Sequence, residues 1–166
     1  MSRAVGVKIE AALRALIIGA LFSSLVAAAD PAANTPQELI RSLYAHHQPK
    51  KGKEVDVCDR AAVAKYCDAA LTELFSKECA CRKEREEACN LDWDPFYDAQ
   101  DFDASDPRPR IEETKPAGSF DVTIHNLGER RLIYQMTQTP KGWRISNIRS
   151  PASGWSLREV LTGAKK

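Results

Sequence analysis

The sequence predicts an α+β fold in which N-terminal helices pack on a curved antiparallel sheet and a short helix closes the chain. Three observations carry that expectation. Apolar residues recur at helical spacing from Leu39 to Phe75, and at period two from Phe120 to Ile145. Between them lies LDWDPFYDAQDFD, Leu91 to Asp103, which sets Trp93, Phe96, Tyr97 and Phe102 among five aspartates and Gln100. Rings seek a core and carboxylates seek water or partners, so this dividing stretch has to be placed with care.

At 166 residues the chain accommodates one domain around a single core. Residues 1–29 have the pattern of a secretory signal peptide. Arg3, Lys8 and Arg14 make a positive start, Ala15 to Val26 is an apolar run, and Ala27-Ala28-Ala29 is an A-x-A cleavage site before Asp30. The run is shorter than the ~20 apolar residues that span a bilayer, which argues against a membrane anchor. The expected mature domain is residues 30–166, in the periplasm or secreted. It retains 21 basic against 22 acidic residues, a net charge of −1. With no basic stripe it offers no footprint for nucleic acid and no polybasic face for a membrane.

Cys58, Cys67, Cys79, Cys81 and Cys89 fall within 32 residues. In an oxidising compartment some should pair, and the odd count leaves one free. A continuous helix over residues 60–77 would be about 27 Å long and would hold Cys58 away from Cys79 and Cys81. The expected bridge is therefore local, Cys89 to Cys79 or Cys81. Cys67 on the apolar face stays free and buried. The C-x-C…C spacing lacks the second pair of a zinc ribbon or finger, so no metal site is assigned.

The elements follow in order. After a polar lead over residues 30–35, Thr35-Pro36-Gln37-Glu38 is a capping box with proline at the first helical position. Leu39, Ile40, Leu43 and Tyr44 give that helix one buried face. His46 and His47 close it as polar residues complementing the helix C-terminus. A basic loop, Gln48 to Lys53, leads to a second helix capped by Asp59. Val63, Tyr66, Cys67, Ala70, Leu71, Leu74 and Phe75 form its stripe, and Lys77 to Glu87 is a solvated helix extension or a short extra helix. Beyond a loop with Pro107 and Pro109, a modest strand covers Ile111 to Thr114. Phe120, Val122 and Ile124 mark the next strand, with His125 on its wet face, and Leu132, Tyr134 and Met136 mark the one after. Asn126 to Glu129 turns between them. Pro140-Lys141-Gly142 turns into Trp143 to Arg149, where Ile148 breaks the alternation and implies a bulge near Ser146 or Asn147. Ser156 to Glu159 is a second capping box for a helix ending at Gly163.

LDWDPFYDAQDFD, the strand pair, KGWRISNI and WSLREVL together resemble the exported bacterial domain of unknown function 3828 family. The most specific parts are Asp94-Pro95-Phe96 with Gln100-Asp101, and Gly142-Trp143. The matching blocks fall between residues 36 and 162, and residues 77–89 have no counterpart. The resemblance implies the cone-shaped nuclear-transport-factor-two-like superfamily, in which the cone holds a small ligand or the sheet meets a partner. Some members of that superfamily use a pocket carboxylate as a base, and others bind without catalysis. It implies a fold and an address, and no chemistry.

Candidate site residues come from the acidic-aromatic stretch and the strands. A general base would be Asp94 or Asp101, or Asp92 beside Trp93. Against this, Asp94 and Asp101 could cap turns while Asp98 and Asp103 face water. Calcium is disfavoured because the stretch lacks the Gly and terminal Glu of an EF-hand loop. Trp93, Gln100, Tyr134 and Trp143 are the candidate ligand contacts. No nucleophile elbow, phosphate loop or activated cysteine is present, and no cofactor is implied. The expected function is that of a non-enzymatic small-ligand-binding or protein-interaction module. The alternatives are an isomerase or hydrolase using an aspartate base, or an immunity-type inhibitor docking through its sheet; homodimerisation is left open.

Overall fold

The computed structural model of the chain describes residues 35–103 and 108–164. The signal peptide, the polar lead before Thr35 and Pro107 lie outside the described residues. Helix α1 spans Pro36–His46 and is held by the expected reciprocal cap. The Glu38 amide donates to Thr35 Oγ1 at 3.2 Å and the Thr35 amide to Glu38 Oε2 at 3.0 Å. Its face of Leu39, Ile40, Leu43 and Tyr44 is buried. A single 3-10 turn, Pro49–Lys51, follows in the basic loop.

The second helix is not continuous. It divides into α2, Arg60–Tyr66, and α3, Ala69–Arg85. At the break the Asp68 amide donates to the Ile145 carbonyl of a strand at 2.9 Å, and Asp68 becomes the N-cap of α3 through the Leu71 amide. Sheet pairing at Cys67 thus takes a donor that a continuous helix would have used internally. The break folds α3 back along α2, with consequences for the cysteines. The bridges are Cys58–Cys79, with Cα atoms 5.5 Å apart, and Cys81–Cys89; Cys67 is free and buried. The Cys81–Cys89 alternative and the free Cys67 are as expected. The exclusion of Cys58–Cys79 is corrected, because it assumed one rod-like helix.

Among the described residues five strands form an antiparallel meander in the order β1-β2-β3-β4-β5. They are β1 Arg110–Thr114, β2 Ser119–His125, β3 Glu129–Thr139, β4 Gly142–Ser150 and β5 Trp155–Ser156. β5 is too short to leave a period-two signal. Gln135 faces Asn147 while Met136 faces Ile145, so Ser146 is the extra residue of a bulge, where the broken alternation had placed it. Phe120, Val122, Ile124, Leu132, Tyr134, Ile145 and Ile148 form the buried sheet face, which packs with both helical segments into one core. Helix α4, Leu157–Leu161, ends before Gly163, whose φ of +70° suits glycine. Its expected side-chain cap is absent. Ser156 Oγ accepts instead from Asn147 Nδ2 at 3.0 Å. The architecture is therefore α+β, with helices preceding an open five-stranded sheet.

Candidate functional site

The stretch from Leu91 to Asp103 lies where α1, α3 and the sheet meet, and its aspartates have different tasks. Asp94 precedes a proline, which biases it toward extended geometry. Its amide donates to the Ala99 carbonyl at 2.9 Å, and the Ala99 amide returns a bond at 3.3 Å, closing a tight loop. Within that loop Asp94 Oδ1 accepts the amides of Phe96 at 2.7 Å and Tyr97 at 3.2 Å, so the capping role expected of Asp94 is present. Its other oxygen, Oδ2, pairs with His47 Nε2.

His47 is 3 % exposed, and its Nδ1 accepts the Val55 amide at 2.9 Å. An acceptor at Nδ1 leaves the proton on Nε2, where it is donated to the Asp94 carboxylate. His47 is thus a buried partner of the loop and not a solvated end to α1. His46 does serve the helix end, through a 2.8 Å contact between Nδ1 and the Ser42 carbonyl.

A buried chain of phenols backs the loop. Tyr134 donates to the Tyr44 hydroxyl at 2.9 Å, and Tyr44 donates to the Phe96 carbonyl at 2.6 Å. Tyr97 donates to the His47 carbonyl at 3.0 Å. Burial pushes all three phenols above their usual range, with the Asp94 charge adding to it, and Tyr97 rises to about 12.

The remaining aspartates divide in a way the sequence did not suggest. Asp98, at φ +50°, accepts from Trp155 Nε1, Ser150 Oγ and Ser153 Oγ, each at 2.7 Å, and so ties the stretch to the turn between β4 and β5. Asp103 accepts the Leu127 amide at 2.6 Å and fixes the β2–β3 turn with the buried Asn126. Asp98 is half-buried and held by three side chains, which corrects the expectation that it faces water, whereas Asp103 is exposed as expected while it accepts the Leu127 amide. Asp101 is exposed, and among the described residues it engages Asn126 through its backbone carbonyl, which accepts Nδ2 at 2.9 Å.

An open cleft of about 430 Å³ runs along the outer side of this loop. Trp93 and Phe102 supply its rings; Glu54, Asp92, Asp94 and Gln100 supply oxygen atoms; Arg82 is its one basic residue among the described residues. Trp93 leans on Trp155, with ring centroids 5.8 Å apart. Gln100 Nε2 donates to the Asp92 carbonyl at 3.4 Å. Among the described residues Asp92 and Glu54 make no ion pair. Arg82 is occupied: its Nε donates to Glu78 Oε1 at 3.0 Å and its Nη2 to the Leu91 carbonyl.

Glu78 is the hidden support of the cleft. Its buried carboxylate accepts the Asn90 amide at 3.1 Å and the Leu91 amide at 3.2 Å as well as Arg82. Burial alone would raise its pKa, but the Arg82 and backbone hydrogen bonds outweigh it and hold the carboxyl below the usual range.

Of the residues singled out from sequence, Trp93, Gln100, Asp92 and Asp94 share this cleft. Asp101, Tyr134 and Trp143 do not line it. Tyr134 is core, and Trp143 is partly buried against the core opposite Gln138. Sequence reasoning missed His47, Glu54, Glu78 and Arg82. Glu78 was legible: with Leu71, Phe75 and Arg82 it lies at helical spacing on the buried face of α3, with Arg82 at i+4. His47 was not, because nothing local pairs residues 47 positions apart. No group of three or more His, Cys, Asp or Glu residues suited to a metal occurs among the described residues. Comparison with family models, curated proteins and solved structures finds no match to this chain.

Proposed function

We propose that this chain is an exported, non-enzymatic binding module of nuclear-transport-factor-two-like cone architecture, whose cleft at Leu91–Asp103 takes a small cationic molecule, an amine. The observation that carries the ligand class is the pairing of two unneutralised carboxylates, Glu54 and Asp92, with two ring-bearing residues, Trp93 and Phe102, in one cleft. An ammonium group is attracted both by carboxylates and by the faces of aromatic rings. Arg82, the one base among the described residues of the cleft, is already matched by Glu78, so it does not cancel that field.

A binding role is favoured over catalysis by the state of the central pair. Asp94 uses both oxygens and His47 both ring nitrogens in structural contacts. A general base needs a lone pair free for the substrate, and most of Asp94's acceptor sites and both His47 nitrogens are committed to holding the loop. Export is supported by the two disulfides and by the N-terminal sequence. No described helix is long and apolar enough to cross a membrane. N-terminal sequencing of the secreted protein should read from Asp30, and a mature chain retaining Met1 would refute this address.

Tryptophan fluorescence titration with spermidine, butylamine and neutral butanol tests the ligand class. The amines should quench saturably and the alcohol should not. Asp92→Asn and Glu54→Gln should each weaken spermidine by roughly threefold or more, since exposed pairs are individually modest. Equal binding of alcohol and amine, or indifference to both substitutions, would remove the proposal.

A further inference from the structure

A second cavity, of about 320 Å³, shares no lining residue with the cleft and has the opposite charge. It exists because of the break between α2 and α3: the chain turns at Cys67–Asp68 and leaves a gap against the β3–β4 turn at Pro140. Ala64, Ala69 and Pro140 give it apolar walls. Lys141 and Arg144 stand in its wall without a carboxylate partner among the described residues. Arg144 donates Nε to the Ala64 carbonyl and Nη1 to its neighbour Trp143, leaving Nη2 uncommitted. The other charges there are already matched. Arg60 is paired with Glu73 at 2.9 Å, and Asp68 with Arg158 at 3.1 Å and with the Leu71 amide.

Behind the wall of the cavity lies Thr72. It is 3 % exposed, and its hydroxyl has no hydrogen-bond partner. Buried hydroxyls are ordinarily paired, and this one lies closed off behind the cavity wall, where it costs stability and adds no contact for a ligand. The volume is at the lower end of the ~300–1,000 Å³ of small-molecule sites. We propose that this cavity binds a small carboxylate with a short hydrocarbon body. The carboxylate meets Lys141 and Arg144, and the hydrocarbon lies on Ala64, Ala69 and Pro140. Free cations select the anion, and apolar walls select its body over a bare oxyanion.

Hexanoate, hexanol and inorganic phosphate are the probes, followed by calorimetry and by amide chemical shifts of the intact oxidised protein. Hexanoate should bind with shifts at Ala64, Ala69 and Lys141, and hexanol should bind about tenfold more weakly. Lys141→Gln changes an exposed side chain and should weaken hexanoate severalfold without altering the fold. Thr72→Val keeps the shape, removes the orphan hydroxyl behind the wall, and should leave hexanoate binding unchanged with the melting temperature equal or higher. Arg144 is left intact because it also caps the end of α2. Hexanol equal to hexanoate, phosphate as tight as hexanoate, shifts confined to Trp93 and Gln100, or indifference to Lys141→Gln would each overturn the assignment.

Discussion

The carboxylate of Asp94 does two things at once, and substitution separates them. Asparagine keeps an oxygen for the Phe96 and Tyr97 amides but presents an amide to His47 Nε2, a donor facing a donor. The ring cannot accommodate this by changing tautomer, since Nδ1 is held by the Val55 amide. Asp94→Asn should therefore destabilise by about 1–3 kcal/mol, the cost of an unsatisfied buried group. Phe96 is 1 % exposed, and Phe96→Ala should cost more, about 3–5 kcal/mol. Thermal melts decide it; an Asp94→Asn protein more stable than its parent would make Asp94 a strained functional carboxylate. The phenols behind the loop give a second test. Raised folded pKa values mean that their stabilising contribution is complete below the ordinary tyrosine value and is lost as pH rises through the folded value. Tyr44, Tyr97 and Tyr134 should thus stay un-ionised at about pH 10.5 in an ultraviolet titration, where free tyrosine is mostly ionised. A full tyrosinate signal at that pH from the folded protein would contradict the buried chain.

Among the elements, α3 shows what a sequence pattern conveys and what it conceals. Its Glu78 holds the Asn90 and Leu91 amides, so α3 positions the acidic-aromatic stretch through one carboxylate. A depressed folded pKa contributes stability that is present above the ordinary glutamate value and disappears as pH falls through the lower, folded one. Glu78→Gln should cost about 1–3 kcal/mol at neutral pH, and the gap from the parent should narrow below about pH 4. Denaturant melts at pH 7 and pH 3 measure this, and a constant gap would refute it. The caps at Thr35 and Asp59, the period-two strands and the bulge at Ser146 were all legible, because each is a local rule acting within a few residues. The break at Cys67 was not. The residues from Asp59 to Phe75 carry one uninterrupted apolar stripe, and the deciding interaction is a hydrogen bond to Ile145, far along the chain. The same blindness hid the His47–Asp94 pair, the environment of Asp98 and the bridge from Cys58 to Cys79. Where the site depends on contacts across the core, spacing in sequence has nothing to report.

For the molecule as a whole, the covalent restraints and the sheet occupy different parts of one core. Both disulfides lie between residues 58 and 89, in the helical half, yet Leu71 and Phe75 share a single cluster with Val122, Leu132 and Ile145. The bridges span 21 and 8 residues and follow one another without overlap, so their effects on the unfolded chain are independent. Loop-closure entropy assigns roughly 3 and 2.5 kcal/mol to them. Against a typical domain stability of about 5–15 kcal/mol, that is a large share. Reduction should lower the melting temperature by about 15–20 °C for a domain of this size. Because the core is shared, the reduced protein should still unfold in one transition and not lose its helices first. The cleft should respond before the fold does. Cys81–Cys89 clamps the end of α3 to the start of the acidic-aromatic stretch, and Ala88, Leu91 and Arg82 line the cleft beside it. A Cys81→Ser/Cys89→Ser variant, held at a temperature where it remains folded, should therefore bind spermidine more weakly than the parent. The Cys58→Ser/Cys79→Ser variant should lose more stability but retain its affinity. Circular dichroism melts and the fluorescence titration, run on both variants, separate the two effects, and an equal loss of affinity in both would mean that the clamp at Cys81 has no special hold on the cleft.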